Sequence, residues 1–172
     1  PRGLRSRITW GATKSSSFLG TSSRTRTRPT LRWSPGRTGY NKQTMFNKSI
    51  EDWRRVLEVN LTGVMITNQL AVKSMIELDI KGSIINIASI AGRRPLPGAT
   101  DYCVSKSGVI MLTQSLSAEV SGRGIRVNAI GPGFIETPMT ASIRQSEEGV
   151  DMVMSMTPMA RFGVPEEIAN TA

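Results

Sequence analysis

The chain has 172 residues, 38% of them apolar, which is enough for one domain with a real core. It holds no histidine and a single cysteine, Cys103. That excludes a His-dependent triad and an internal disulfide, leaves little to bind a transition metal, and fits the cytoplasm or another reducing compartment.

No apolar run approaches a membrane span, and no basic region leads into an apolar stretch near the first residue, so neither a membrane protein nor a secretory signal is expected. A net charge of +9 suggests a nucleic-acid partner until its distribution is read. Residues 1–45 hold ten Lys/Arg and no acid, whereas residues 46–172 hold twelve Lys/Arg against thirteen Asp/Glu, a net of −1. The body is therefore near neutral, as an enzyme of small molecules can be, and no nucleic acid is expected as its partner. The segment 1–45 carries fifteen Ser/Thr, includes Thr21-Ser22-Ser23-Arg24-Thr25-Arg26-Thr27-Arg28, and has neither helical nor strand periodicity. Such a stretch buries too little surface to offset its ordering entropy, so disorder is the default. A basic arm is the functional reading, although Trp10, Trp33 and Tyr40 are too scattered for a stacking platform. The abrupt change of composition favours a third reading, that this segment is not native to the domain that follows.

From about Met45 the pattern becomes regular. Ser49 can cap a helix whose first turn holds Glu51 and Asp52, and Trp53, Leu57, Leu61 and Val64 follow at helical spacing, so one helix is expected to about Met75. Gly82-Ser83 precedes Ile84-Ile85-Asn86-Ile87-Ala88, which reads as a buried parallel strand. A Gly/Pro-rich loop over 92–98 leads to a helix over about 101–120, ended by Gly122 and Gly124. Residues 125–130 predict a second strand, Gly131-Pro132-Gly133 a sharp turn, and Pro165 the first position of another helix. Alternating helices and strands indicate an α/β fold with a doubly wound parallel sheet.

Tyr102 and Lys106 are four apart on the expected helix and so share a face. A phenol ionises near pH 10, and a nearby ammonium would lower that value and make it a usable acid/base. Alone the spacing is a weak signal, because a Tyr and a Lys often fall so by chance. Four ordered motifs give it context: Val59-Asn60-Leu61-Thr62-Gly63, Ile84-Ile85-Asn86-Ile87-Ala88-Ser89, Asp101-Tyr102-Cys103-Val104-Ser105-Lys106, and Arg126-Val127-Asn128-Ala129-Ile130-Gly131-Pro132-Gly133 with Thr137 beyond it.

Together these resemble the short-chain dehydrogenase/reductase family over about residues 46–172, closest to its 3-oxoacyl reductase and sugar-alcohol dehydrogenase type. The resemblance implies hydride transfer between NAD(P), with NADP favoured, and a small carbonyl or secondary alcohol. It implies that Tyr102 exchanges the proton with the substrate oxygen and that Ser89 hydrogen-bonds that oxygen. Tyr102 and Lys106 would also bind the cofactor, Lys106 holding the ribose and biasing Tyr102, and Asn60 would hold a water in the proton relay. Pro132, Gly133, the Ile135 backbone and Thr137 would meet the nicotinamide, and a homo-oligomer is expected. Cys103 reads as a small buried residue rather than a nucleophile.

Departures from the family pattern are as informative. A glycine-rich loop should cradle the pyrophosphate at a helix N-terminus. Thr9-Trp10-Gly11-Ala12-Thr13-Lys14 does not supply it, since Ser15 and Ser17 stand where glycines are needed. Arg37-Thr38-Gly39 does not match the family's Asn-Asn-Ala-Gly strand end, and Val164-Pro165-Glu166-Glu167-Ile168-Ala169 begins a helix that in the family leads to a final strand. The expected fold is thus Rossmann-like but incomplete, lacking the N-terminal βαβ dinucleotide half. The alternative to an active oxidoreductase is a non-catalytic truncated fragment unable to bind the dinucleotide. Substrate choice would rest on Arg93, Arg94 and Leu96 and on segment 140–159, where Met152, Met154, Met156 and Met159 suggest an adaptable apolar lid.

Overall fold

The computed structural model describes residues 44–172. The expectations for 1–43, including the Arg37-Thr38-Gly39 mismatch, lie outside the described residues. After a 3-10 turn at Met45–Asn47, Ser49 caps α1 (Ile50–Leu57) as expected, its hydroxyl accepting the Asp52 N–H at 3.0 Å. The single helix expected to about Met75 is instead divided: a π-turn at Glu58–Thr62 separates α1 from α2 (Gly63–Glu77). A π-turn carries one residue more than the α-helical repeat and marks functional places disproportionately. Here its buried residue is Asn60.

The strand β1 (Ser83–Ile87) pairs in parallel with β2 (Arg126–Ile130), with Ser83 opposite Arg126 and Ile87 opposite Ile130. A parallel pair needs a crossover, supplied by a 3-10 turn at Ile90–Gly92, a loop, and α3 (Thr100–Val120). The helix ends through a 3-10 turn at Ser121–Arg123 and a left-handed Gly124 at φ 72°. Beyond β2 come a 3-10 turn at Pro138–Thr140, α4 (Ala141–Arg144), α5 (Glu147–Met156) and α6 (Pro165–Ala169), the last opening on Pro165 as expected.

The core lies on one face of the sheet. Ala71, Val72 and Met75 of α2 pack with Ile84, Val127, Val120 and Ile125, and Val64, Ala88 and Val109 form a second cluster toward the C-terminal ends of the strands. Asn86 reaches from β1 into this core, donating to Thr113 Oγ1 at 3.0 Å, while Thr113 donates to the Val109 carbonyl at 2.7 Å. That chain satisfies a buried amide and fixes where α3 sits along the strand. The opposite face differs from the expected buried strand: Ile85 is half-buried and Ile87 is 47% exposed. Residues 44–172 cover one side of β1 and leave the other open. Among the described residues no helix is long and apolar enough to cross a membrane.

Candidate active site

At the C-terminal end of β1, Ser89 is extended (φ −169°, ψ 158°) and caps the 3-10 turn that follows. Its Oγ accepts the Ala91 N–H at 3.1 Å, which leaves the hydroxyl proton for another acceptor. The hydroxyl of Tyr102, from the first turn of α3, is hydrogen-bonded with Ser89. One helical turn on, Lys106 lies with its Nζ 5.8 Å from the centre of the Tyr102 ring and donates to the Ile87 carbonyl at 2.9 Å. Sheet end and helix start thus bring together the three residues that the motifs had singled out.

The Tyr102 peptide is gripped on both sides. Asp101 Oδ1 accepts its N–H at 2.9 Å, and the Ser105 hydroxyl donates to its carbonyl at 2.7 Å. Behind these stand two residues from the α1 region. Lys48 Nζ lies 2.9 Å from Asp101 Oδ2, and Asn60 Nδ2 donates to Ser105 Oγ at 3.2 Å. Asn60, Asp101, Ser105 and Lys106 are all buried. Asn60 therefore reaches the site through Ser105. Sequence reasoning passed over Lys48, Asp101 and Ser105 as actors; Ser105 carried a signal, a short hydroxyl three residues after Tyr102 on one helix, whereas the Lys48 ion pair links distant segments and had none. Cys103 is only half-buried, its Sγ accepting the Leu96 N–H at 3.4 Å.

Burial sets the ionisation of the pair. The Tyr102 phenol is raised above its ordinary value by desolvation, against which the Ser89 hydrogen bond works and to which the neighbouring Cys103 charge adds. This corrects the expected depression by Lys106, whose ammonium is turned to the Ile87 carbonyl. Lys106 itself is lowered to about 8 by desolvation. At neutral pH the site holds a protonated phenol, ready to donate, beside an ammonium near its own titration point.

The turn after β2 runs alongside. The Pro132 carbonyl accepts the Ile90 N–H at 3.0 Å, one residue past Ser89. Gly133 has no positive φ, and a Cβ there would meet nothing closer than Ile90 Cδ1 at 4.0 Å, so the turn has open room. Ile135 forms an isolated parallel bridge with Gly163: Gly163 donates to the Phe134 carbonyl at 2.9 Å and Glu136 donates to the Gly163 carbonyl at 2.8 Å. The Ile135 carbonyl takes the Thr140 hydroxyl at 2.7 Å, so its N–H faces away from Gly163. Thr137 begins the next 3-10 turn, its N–H donating to Thr140 Oγ1 at 3.2 Å. These donors and this space fit the nicotinamide and ribose end of a dinucleotide. Among the described residues no helix start follows a glycine-rich loop that would suit its phosphates.

Comparison with known proteins places the chain. Residues 35–172 match the family described as Enoyl-(Acyl carrier protein) reductase, a match that begins some ten residues before the stretch of about 46–172 over which the resemblance was expected. The 3-oxoacyl-[acyl-carrier-protein] reductase of Thermotoga maritima is 47% identical over 119 residues, 69% of this chain and 47% of that protein. Among solved structures, 4-hydroxyisoleucine dehydrogenase complexed with NADH has a TM-score of 0.74 at 30% identity, covering 76% of this chain and 54% of that one. An Agrobacterium tumefaciens protein with bound NADP has a TM-score of 0.74 at 32% identity, covering 76% and 53%. The chain spans about half the length of the curated relatives it matches.

Proposed function

The chain belongs to the short-chain dehydrogenase/reductase family, and on that premise we propose that it serves hydride transfer between NAD(P) and a small carbonyl or secondary alcohol, with Tyr102 as the general acid/base. One observation supports this most: a half-buried Tyr102 joined to Ser89 at the end of a parallel strand, with Lys106 one turn away. When bound, the nicotinamide supplies or accepts the hydride.

The chain's own residues handle the oxygen and its proton. Ser89 steadies the substrate oxygen, and Tyr102, protonated at neutral pH, delivers its proton to that oxygen in reduction and takes it back in oxidation. Lys106 holds the ribose hydroxyls, and its charge supports the phenolate once the proton has left. Asn60 orients the site through Ser105 and belongs to the relay that returns the proton. Pro132, Gly133, Ile135 and Thr137 receive the nicotinamide end. Both NADH and NADP have been found with relatives, and NADP remains favoured by the resemblance. A homo-oligomer is supported by the apolar side chains Met65, Ile66, Leu70 and Met111 exposed on α2 and α3.

Titration of the 172-residue chain with NADPH and with NADH, followed by fluorescence, tests the reading. Saturable binding is expected, together with reduction of a 3-oxoacyl thioester or oxidation of a sugar alcohol. Replacing Tyr102 by Phe should lower kcat by about 10²- to 10⁴-fold and weaken nucleotide binding far less. No saturable binding of either nucleotide would instead support the fragment reading for this chain.

A further inference from the structure

We propose that the buried Lys48–Asp101 ion pair is a positioning device for Tyr102, holding its backbone so that its hydroxyl stays on Ser89. Both side chains are nearly inaccessible, at 2% and 6% exposure, and 2.9 Å apart. A buried ion pair is a poor way to gain stability, since well-packed apolar side chains serve as well or better. It does fix direction, and here direction matters. The two carboxylate oxygens of Asp101 are divided: Oδ2 meets Lys48 and Oδ1 accepts the Tyr102 N–H. Ala99 gives α3 no side-chain cap, so Asp101 is also the anion in the positive first turn of this helix. Lys48 places the carboxylate, and the carboxylate places the Tyr102 peptide.

The same stretch of chain holds the other side of that peptide. Asn60 donates to Ser105, and Ser105 donates to the Tyr102 carbonyl. Lys48, just before α1, and Asn60, in the middle of the π-turn after it, thus bracket one residue of α3. A shift of α1 along α3 would move the phenol relative to Ser89, whose own bond from Ala91 does not involve α1.

The inference rests on Tyr102 being the acid/base, but its test needs no turnover. The chain has two tyrosines, so Tyr40→Phe leaves Tyr102 as the only one. In that background, selective 13Cζ labelling gives a single NMR resonance that senses the hydrogen bond at the phenol oxygen at neutral pH. Ser89→Ala sets the position of the resonance without that bond. Lys48→Met is expected to move it toward that position by at least about half the Ser89→Ala displacement, and Lys48→Met with Ser89→Ala should coincide with Ser89→Ala alone. If Lys48→Met does not fold, Lys48→Met with Asp101→Asn removes both charges and leaves neither stranded, and it is read against the same pattern. A resonance that stays put, or displacements that add in full, would assign the pair to general stability and overturn the proposal. Failure of hydride transfer with this NMR pattern intact would fall on the proposed function alone.

Discussion

Around Tyr102 the polar groups that hold the geometry are buried, whereas the segment after Pro132 is held by one strand bridge, an aromatic contact at the buried Phe162 and an exposed ion pair. Asn60, Asp101, Ser105 and Lys106 lie inside, and each is satisfied by a named partner. The later segment is held by the bridge at Gly163, by the edge-on Phe134–Phe162 contact with centroids 6.5 Å apart, and by an exposed Arg161–Glu167 pair. Glu167 also accepts the Val164 N–H at 2.9 Å, and with Arg161 as the main cause its carboxyl is held down to about 2. Buried polar contacts are costly to break singly, and exposed ones are weak and screened. The proton-transfer side of the site is therefore set rigidly, while the segment that would close over the nicotinamide can yield.

Ile125 is 1% exposed in the larger core cluster, which anchors the sheet that carries the site although it lies at the far end of the strands from Ser89, and Ile125→Ala should lower the unfolding free energy by about 2–5 kcal/mol in a urea titration. A loss under about 1 kcal/mol would show that the first region is loosely packed and would dissolve the contrast.

Lys106 tests the same region from the electrostatic side. Its folded value of about 8 lies below the unfolded value of 10.5, so between these limits the unfolded chain binds the extra proton and stability rises with pH. Lys106→Met should remove that rise, so the stability difference between the two proteins should change steadily as pH climbs from about 8 to 10.5. Parallel pH–stability curves for the two proteins across that window would contradict the burial of the ammonium.

Glu167→Gln should have the smallest effect. Because its folded value is depressed, the contribution of the carboxylate is present above about 4.5, its unfolded value, and is lost as pH falls through about 2. The expected change is faster amide exchange in α6 that added salt mimics, with the global unfolding midpoint nearly unmoved. A global loss as large as that of Ile125→Ala would place both regions in one class.

Much of the first region was legible because its signals are local. Ser49 and Gly124 each act within a turn and do what their chemistry suggests, as Pro165 does in the second region, while the apolar run at 84–88 forms its strand with only one face buried. Tyr102, Lys106 and Ser89 were found by spacing and family likeness, and the fold brings them together. The π-turn was not legible, since apolar spacing through Leu57, Leu61 and Val64 suits an unbroken helix as well. Nor could spacing show that desolvation would outweigh the ammonium at Tyr102, because burial depends on packing from distant segments. Helices α4 and α5 over the Met-rich stretch carry one fully buried residue, Val153, while Met152 and Met159 remain exposed at 40% and 71%; such shallow packing leaves a faint periodic trace.

The π-turn gives one residue of the chain over to placing Asn60. Removing a residue between 58 and 62 would take out that extra residue and restore regular α-helical bonding, with the helix on either side keeping its face. Val64, Ala71, Val72 and Met75 would stay on the sheet, while the Asn60 amide would lose its aim at Ser105. The core is as well served by a regular helix, and the site is what holds the irregular turn in place.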